Sequence, residues 1–309
     1  MVGEGWPGAS RVPTSVYPAA WFGQRSALDV PRAERAFHPH QTRPVHRIPA
    51  ASCILDLIQL RDPSRPVRIA KALRLRASVR AARVLFTITE SVRDELISGF
   101  GVDPASVTVL GMPVDGEIAA RVAARRAGGP QGRYLLAVGR FDHHKNLPRL
   151  VEAFTRTRFC QTGGTLHLVG GTARQLAALG MASLPAGLRV RGMLSPPELE
   201  DAMVGATALV QASLVEGYGL PVAEALLANV PVVSSPVPAA TEFGPAGVPI
   251  FDPESIPSMS EVIDETVDLV EEGTYWKRVE RDAWAAARPT KRELAEQVLS
   301  GLALLGPVA

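Results

Sequence analysis

Short apolar segments alternate with stretches of helical spacing along most of this chain, and this alternation constrains the fold more than any other feature. RVLFTIT (83–89), SVTVLG (106–111), YLLAVG (134–139) and TLHLVG (165–170) are rich in apolar and β-branched residues. A repeated strand–helix–strand order makes successive strands parallel, with helices on the faces of the sheet. The sequence therefore predicts an α/β protein built on parallel sheets.

The alternation occurs in two series of strands and helices, each of which we call a train. The first runs from AASCILDLIQL, which begins at Ala50, to SVTVLG, and the second runs from YLLAVG to VPVVSS (230–235). Between them, GEIAARVAARRAGGPQG (116–132) predicts a helix followed by a Gly-Gly-Pro linker. A length of 309 residues suits two domains. We expect a partial first domain over 1–128 that is irregular over 1–49, a second domain over 133–288 with a helical pattern at 255–287, and a helix within 289–309 that packs back towards the first domain.

The overall charge is nearly balanced, because 33 Lys and Arg face 31 Asp and Glu. This balance argues against nucleic acid as a partner. The stretch between Arg61 and Arg83 is a local exception, with eight basic residues and Asp62 as its one acidic residue. Two interpretations remain open: a solvated helix face, or a surface that contacts anionic lipid headgroups or a phosphorylated acceptor.

Features of secreted or membrane-spanning chains are absent from the sequence. Cys53 and Cys160 are far apart and form neither a disulfide framework nor a metal-binding spacing. No apolar run approaches the roughly 20 residues that span a bilayer, and the amino terminus lacks a signal-peptide pattern. We expect a cytoplasmic protein, with peripheral contact to the inner membrane face between Arg61 and Arg83.

The stretch LVEGYGLPVAEALLANVPVVSS (214–235) places two carboxylates around a glycine-rich turn between two apolar segments. The turn follows a predicted parallel strand and therefore lies at the carboxyl edge of the sheet, where α/β proteins bind ligands. Gly217 and Gly219 permit close backbone approach, and Pro221 suits the first turn of a helix, whose free N–H groups favour phosphate. Glu216 and Glu224 could grip hydroxyl groups on either side. The alternative is an acidic helix start that complements the helix dipole.

A second cluster lies in AVGRFDHHKNLPRLVEAF (137–154), where Arg140 and Lys145 follow a strand that ends at Gly139. Two cations at a carboxyl edge can clamp a diphosphate and stabilise its departure. The alternative is a solvated loop in which Asn146 caps the next helix. No metal site is predicted.

These segments together carry a resemblance. VGRFDHHKNLPRLVEAF (138–154), LHLVGG (166–171) and LVQASLVEGYGLPVAEALLANVPVVSS (209–235) resemble the carboxyl-terminal domain of the family-4 retaining glycosyltransferases, which have the GT-B fold. Glu216 and Glu224 look like the paired glutamates of that family. The resemblance implies that Arg140, Lys145 and Glu216 are catalytic, and that the donor is bound by Gly139, Arg140, Lys145, Arg191, Gly192, Met193, Glu216, Gly217, Tyr218, Gly219, Leu220 and Glu224.

The first domain resembles the family less closely. CILDLIQLRDPSRP (53–66) is similar to the segment that usually contains His-Asp-Leu, but Leu55 stands at the histidine position before Asp56 and Leu57. Residues 85–115 follow the family pattern, whereas its glycine-rich first loop and opening strands have no counterpart before residue 50. The implied fold is two doubly wound Rossmann-like domains that face a cleft, with the amino-terminal one incomplete.

The implied reaction is retaining transfer of a mannosyl- or glucosyl-like hexose from a UDP- or GDP-sugar to a glycan or lipid acceptor, within cell-envelope glycan biosynthesis. No metal or cofactor is implied, and the sequence contains no Asp-x-Asp. Two alternatives remain: a weakened homologue that binds a nucleotide or partner without turnover, and a GT-B sugar-nucleotide epimerase. Product analysis distinguishes all three.

Overall fold

Two parallel sheets form the framework of the protein. The computed structural model describes residues 36–38, 50–61, 64–114, 116–181, 183–286, 288–289 and 291–305. The first sheet has the order β1-β2-β3-β4, and the second has the order β7-β6-β5-β8-β9. All of their strand pairs are parallel, as the alternation predicts. The strands are β1 (Ala36–His38), β2 (Ala50–Ile54), β3 (Val84–Thr87), β4 (Val107–Val109), β5 (Tyr134–Val138), β6 (Thr165–Val169), β7 (Leu188–Gly192), β8 (Ala208–Gln211) and β9 (Val232–Ser234).

Helices connect the strands and cover the sheets. They are α1 (Arg65–Ala81), α2 (Glu90–Phe100), α3 (Gly116–Arg125), α4 (Leu147–Arg156), α5 (Arg158–Gln161), α6 (Ala173–Ala178), α7 (Pro196–Gly205), α8 (Leu220–Leu227), α9 (Pro238–Thr241), α10 (Ile256–Glu271), α11 (Tyr275–Arg278), α12 (Arg281–Ala286) and α13 (Lys291–Ala303). The helix α7 begins where its sequence predicts, because the N–H and hydroxyl of Ser195 both donate to the Glu198 carboxylate across the two prolines of the first turn. Within the described ranges, no helix is both long and apolar enough to span a bilayer.

Two segments differ from the sequence-based prediction. The strand β1 (Ala36–His38) lies in the stretch predicted to be irregular and pairs with β2; the rest of residues 1–49 lies outside the described residues. The long helical pattern at 255–287 is three helices, α10 to α12. Gly273, which follows α10, has a φ of +68°, a left-handed conformation that ends helices and that glycine adopts without strain.

The carboxyl edges of the two sheets meet directly. A Cβ atom placed on Gly217, just after β8, would lie 2.4 Å from the carbonyl oxygen of Leu55, just after β2. This distance is far below van der Waals contact, so Gly217 must be glycine for the backbones to approach so closely. The residues that follow β2 and β8 therefore line opposite sides of one narrow cleft.

Two polar bridges also join the sheets. The Glu242 carboxylate, just after α9, accepts hydrogen bonds from the backbone N–H groups of Glu90 and Ser91 at 2.8 and 3.1 Å. The Arg288 guanidinium donates to the carbonyl oxygen of Met112 and to the hydroxyl of Tyr218, at 2.8 and 2.9 Å. Each bridge has one end in each half of the molecule, and together they hold the halves in a fixed relation.

The helix α13 lies against the first sheet although it follows the second one in the chain. A Cβ atom on Gly301 would lie 2.4 Å from the Phe86 ring of β3, so only glycine permits this packing. Phe86 is fully buried, and Val298 of the same helix belongs to the same apolar core.

Candidate active site

The site is built on the carboxyl edge of the second sheet, where β5 and β6 are each followed directly by a glycine. The N–H of Gly139 donates to the carbonyl of Val169, and the N–H of Gly170 donates to the carbonyl of Gly192. A Cβ atom on Gly170 would lie 2.4 Å from the carbonyl oxygen of Gly139. The two strand ends are therefore in backbone contact, with no side chain between them.

A largely buried ion pair lies at this edge. Lys145 Nζ is 2.5 Å from Glu216 Oε1, and the two side chains are 15% and 10% exposed. Lys145 comes from the 3₁₀ turn His143–Lys145 after β5, and Glu216 comes from the loop after β8. Two residues that the sequence assigned to separate clusters are thus direct partners. Because charges are costly to desolvate, a pair of this kind persists only with good geometry and further hydrogen bonds.

Two side chains that the sequence analysis did not single out supply those hydrogen bonds. Gln211 Nε2 and Ser213 Oγ donate to Glu216 Oε1 at 2.9 and 2.6 Å, and Gln211 also donates to Ser213 at 2.8 Å. Oxygen Oε1 therefore accepts from three donors, whereas Oε2 accepts no hydrogen bond within the described part of the chain. The carboxylate is fixed through one oxygen, and the other is available to a ligand.

A run of unpaired backbone donors follows Glu216. Within the described residues, the N–H groups of Gly217, Tyr218, Gly219 and Leu220 donate no hydrogen bond in the protein. Gly219 has a φ of +99° and turns the chain into α8. Unpaired N–H groups at a helix start attract anions, because they carry the positive end of the helix dipole. The turn thus has the chemistry of a phosphate site.

The other predicted residues of this loop and helix have distinct environments. The Tyr218 side chain is buried against Phe243, with ring centroids 5.6 Å apart, so the backbone of Tyr218 is what it offers to a ligand. Leu220 is partly exposed at the start of α8. Glu224 is half-buried one turn further on, so Glu216 and Glu224 flank the turn.

The two predicted cations are in different surroundings. Lys145 is bound to Glu216, whereas Arg140 is 82% exposed and pairs with Asp142 at 3.0 Å. The alternative of a solvated loop with an Asn146 cap is wrong in its detail. Lys145 is largely buried, and the Asn146 side chain donates to the carbonyl of Pro253 at 2.7 Å and makes no cap bond to α4.

Three of the predicted donor-binding residues, Arg191, Gly192 and Met193, lie at the end of β7 or just after it. Gly192 has a φ of +72°, and Met193 is strongly exposed. The Arg191 guanidinium lies 3.4 Å from Nδ1 of His167, and the His167 ring stacks on Tyr134. Burial and the nearby Arg191 and Arg189 charges lower the pKa of His167 to about 4, so the ring is neutral at physiological pH.

A histidine beside the ion pair adds a titratable group that the sequence analysis did not assign to the site. Burial lowers the pKa of His144, and the Lys145 charge acts in the same direction, whereas the Glu216 charge opposes it. The carbonyl of His144 also accepts from the N–H of Leu214 at 2.8 Å, which ties the loop after β5 to the loop after β8. Within the described residues, no group of three or more His, Cys, Asp or Glu is placed to hold a metal ion.

On the opposite side of the cleft, the residues after β2 face this loop. A Cβ atom placed on Gly217 would lie 2.4 Å from the carbonyl oxygen of Leu55 and 2.8 Å from the Cβ of Asp56. Asp56 Oδ1 accepts from the N–H of Ile58 at 3.2 Å. Leu55, at the position where the resembled family has histidine, is thus at the cleft, but its side chain has no polar atom.

Two parallel-sheet units that meet at their carboxyl edges, with a glycine-rich turn of unpaired N–H groups on one of them, define the GT-B class of glycosyltransferase folds. The solved structure of Anabaena Alr3699/HepE in complex with UDP and glucose superposes with a TM-score of 0.64 at 16% identity, over 84% of this chain and 72% of that chain.

Sequence comparison finds similarity to glycosyltransferases over part of the chain. Residues 132–268 match the family model described as "Glycosyl transferases group 1". The glycogen synthase of Mycobacterium tuberculosis (strain H37Rv) is 32% identical over 160 residues, which are 51% of this chain and 38% of that protein. The O-antigen chain mannosyltransferase RfbU of Salmonella typhimurium is 25% identical over 201 residues, which are 63% of this chain and 54% of that protein. The chain thus spans 38% to 54% of the length of these relatives.

Proposed function

We propose that this chain is a retaining, metal-independent hexosyltransferase that acts in the cytoplasm. The donor is a UDP- or GDP-sugar with a mannosyl- or glucosyl-like hexose, and the acceptor is a glycan or a lipid-linked glycan of the cell envelope. The observation that carries this proposal is the combination of a carboxylate fixed through one oxygen with four adjacent unpaired N–H groups at the sheet edge. The names of the relatives, a glycogen synthase and a mannosyltransferase, support the hexosyl class.

The site offers a complementary group for each part of a sugar nucleotide. The N–H groups of residues 217–220 and the Lys145 ammonium suit the diphosphate, and Arg140 is exposed and able to move towards it. The free Oε2 of Glu216 suits a sugar hydroxyl, and Glu224 suits the ribose. The strand end at Arg191, Gly192 and Met193 suits the base.

Transfer breaks the bond between the anomeric carbon and the diphosphate oxygen, which leaves with the bonding electron pair. The acceptor hydroxyl oxygen bonds to the anomeric carbon on the same face, and its proton passes to the departing diphosphate oxygen. Negative charge develops on the departing diphosphate while positive charge develops at the sugar. The N–H groups and Lys145 stabilise the first charge, and the fixed Glu216 carboxylate stabilises the second. Because Gln211 and Ser213 also hold Glu216, Lys145 can turn towards the diphosphate without releasing the carboxylate.

A second candidate function is a homologue that binds the donor without efficient turnover. Leu55 favours it, because a leucine cannot donate the hydrogen bond that a histidine would give to the reacting sugar. The two candidates share donor binding and differ in turnover.

Calorimetric titration with UDP, GDP and the corresponding nucleosides tests donor binding. We expect one of the two nucleoside diphosphates to bind. The variant Lys145→Ala should lose much more affinity for this nucleoside diphosphate than for the nucleoside, because the diphosphate is the part of the donor that Lys145 is proposed to contact. Arg156→Ala, on the exposed face of α4, is the matched control and should bind like the wild type. Chromatography of products from sugar nucleotides then separates transfer, no product and epimerised donor. Folded protein that binds neither diphosphate would refute the proposed function.

A further inference from the structure

The helix α1 has an outward face whose composition is unusual for a solvated helix. Its inward residues Leu75, Ser78 and Val79 are buried on the first sheet. Ile69 and Leu73, one turn apart on the opposite side, are 50% and 63% exposed. An apolar surface of this kind is more often covered than left in water.

The apolar side chains form a continuous stripe along the helix. Side chains three or four residues apart are neighbours on a helix surface, so the stripe extends through successive turns. All of its members are exposed; they are Pro66, Ile69, Ala70, Leu73 and Ala77, and we call them the outward stripe.

Cations border the outward stripe. Arg65, Arg74 and Arg80 are exposed, and α1 contains no acidic residue. Arg76 is also exposed, but it is engaged at the carboxyl end of α2, with its guanidinium carbon 5.7 Å from the centre of the Phe100 ring. An apolar stripe with a basic border and no carboxylates is the pattern of a helix that lies in the headgroup region of an anionic bilayer.

The position of α1 connects this face with the cleft. Because α1 follows β2 in a parallel sheet, it begins on the side of the sheet where the strand ends, and that side includes Leu55. Residues 64–70, the amino-terminal part of the helix, are all exposed. A surface bound there would lie beside the cleft and next to the incoming acceptor.

We propose that the outward stripe and Arg65, Arg74 and Arg80 dock on an anionic lipid bilayer. Charge complementarity selects the occupant: the arginines suit phosphate headgroups, and the stripe suits the acyl boundary beneath them. A soluble phosphorylated glycan would leave the stripe in water. The proposal deepens the lipid-linked acceptor of the proposed function, yet membrane binding does not require turnover and is measured independently of it.

Flotation with vesicles of phosphatidylglycerol and phosphatidylcholine tests the docking. The wild-type chain should float with mixed vesicles, remain soluble with phosphatidylcholine alone, and dissociate as salt is raised. Replacing Arg65, Arg74 and Arg80 with Gln should weaken membrane binding on the order of 100-fold, because each cation near an anionic surface contributes about fivefold to the affinity. The control replaces Arg156, Arg174 and Arg292 with Gln, which removes the same charge from other exposed helices and should retain binding.

A second pair of variants isolates the stripe. Ile69→Ser with Leu73→Ser should weaken flotation at all salt concentrations, while Leu184→Ser with Leu299→Ser, also exposed, should not. Circular dichroism verifies that each variant is folded. The proposal would be overturned if the wild type did not float, or if the control triple variant lost binding equally. It would also be overturned if inorganic phosphate released the protein at an ionic strength at which the protein stays bound in chloride. None of these outcomes depends on whether nucleotide binds.

Discussion

Single residues decide what the cleft can do, and Glu216 shows this best. Its place in a candidate ligand site was predicted from the spacing of two carboxylates around glycines, but its hydrogen-bond network was not. Gln211 and Ser213 are two residues apart near the end of β8, so both reach the same side of the sheet edge. Sequence alone does not reveal that this side faces Lys145, because the loop after β5 and the loop after β8 are distant in the chain. Candidate site residues on motifs could be named from the sequence, whereas the residues that orient them depend on the folded geometry.

Gln211→Met tests this orienting role, because methionine keeps the length and apolar packing but removes the amide donor. A hydrogen bond to a charged group contributes about 1.5–3 kcal/mol, so sugar-nucleotide affinity or turnover should fall by roughly 10- to 150-fold. Nucleoside diphosphate affinity should stay within about twofold, since Gln211 acts through Glu216 on the sugar. Parallel losses for both ligands would instead show a general collapse of the site. Gln297→Met, an exposed position on α13, serves as the control.

Helices and strands were predicted well where the apolar periodicity and the helix-capping residues indicate the same element. They were predicted less well where a contact distant in sequence stabilises the element. The parallel strands and α7 follow from apolar segments and an N-terminal capping pattern. The strand β1 has three residues, too few for a periodic pattern, and is stabilised by pairing with β2. The start of α2 depends on both kinds of contact. Thr89 accepts from the N–H of Val92, as a local cap should, but the N–H groups of Glu90 and Ser91 are capped by Glu242, about 150 residues away.

Glu242→Ala should therefore weaken α2 from outside the helix. Removing a carboxylate that accepts two helix-start N–H groups costs about 0.5–2 kcal/mol, the range of an N-cap, because water replaces the acceptor incompletely. Chemical denaturation monitored by circular dichroism measures the loss. Glu261→Ala, an exposed carboxylate on α10, should change stability by less than about 0.5 kcal/mol. If the two variants are equally stable, the bridge contributes nothing to the free energy of unfolding.

The whole molecule is two halves held together at their carboxyl edges by backbone contact, by Glu242 and by Arg288. The two-sheet architecture was predictable, because each train of strands and helices fits a separate parallel sheet. The bridges were not, because Arg288 lies in neither train and contacts both halves through Met112 and Tyr218. The proposed function depends at this scale on the facing surfaces, and the first sheet presents Leu55 at the position where the resembled family has histidine.

Leu55→His should raise turnover without changing donor affinity. A donor at this point of the cleft would stabilise the transition state by about 1–3 kcal/mol, so the rate should increase by roughly 5- to 150-fold. Leu55→Phe provides the control for size and should not raise the rate. Single-turnover measurements with a radiolabelled sugar nucleotide give the rates, and calorimetry gives the affinities. Efficient turnover by the wild type, or equal rates for both variants, would show that Leu55 does not limit catalysis.

The contact of Gly217 with Leu55 changes how substitutions in the glycine-rich turn should be interpreted. Even alanine at this position would place its methyl group 2.4 Å from a backbone oxygen of the opposite half. In a mutational scan of the turn, substitutions at position 217 would therefore measure how far the molecule tolerates a separation of its two halves. Gly219 is different: its Cβ would meet Val237 and Ala239 of its own half, at 3.0 and 3.3 Å. Substitutions at these two glycines thus report on different properties. Position 217 reports on the spacing of the halves, and position 219 reports on the shape of the glycine-rich turn.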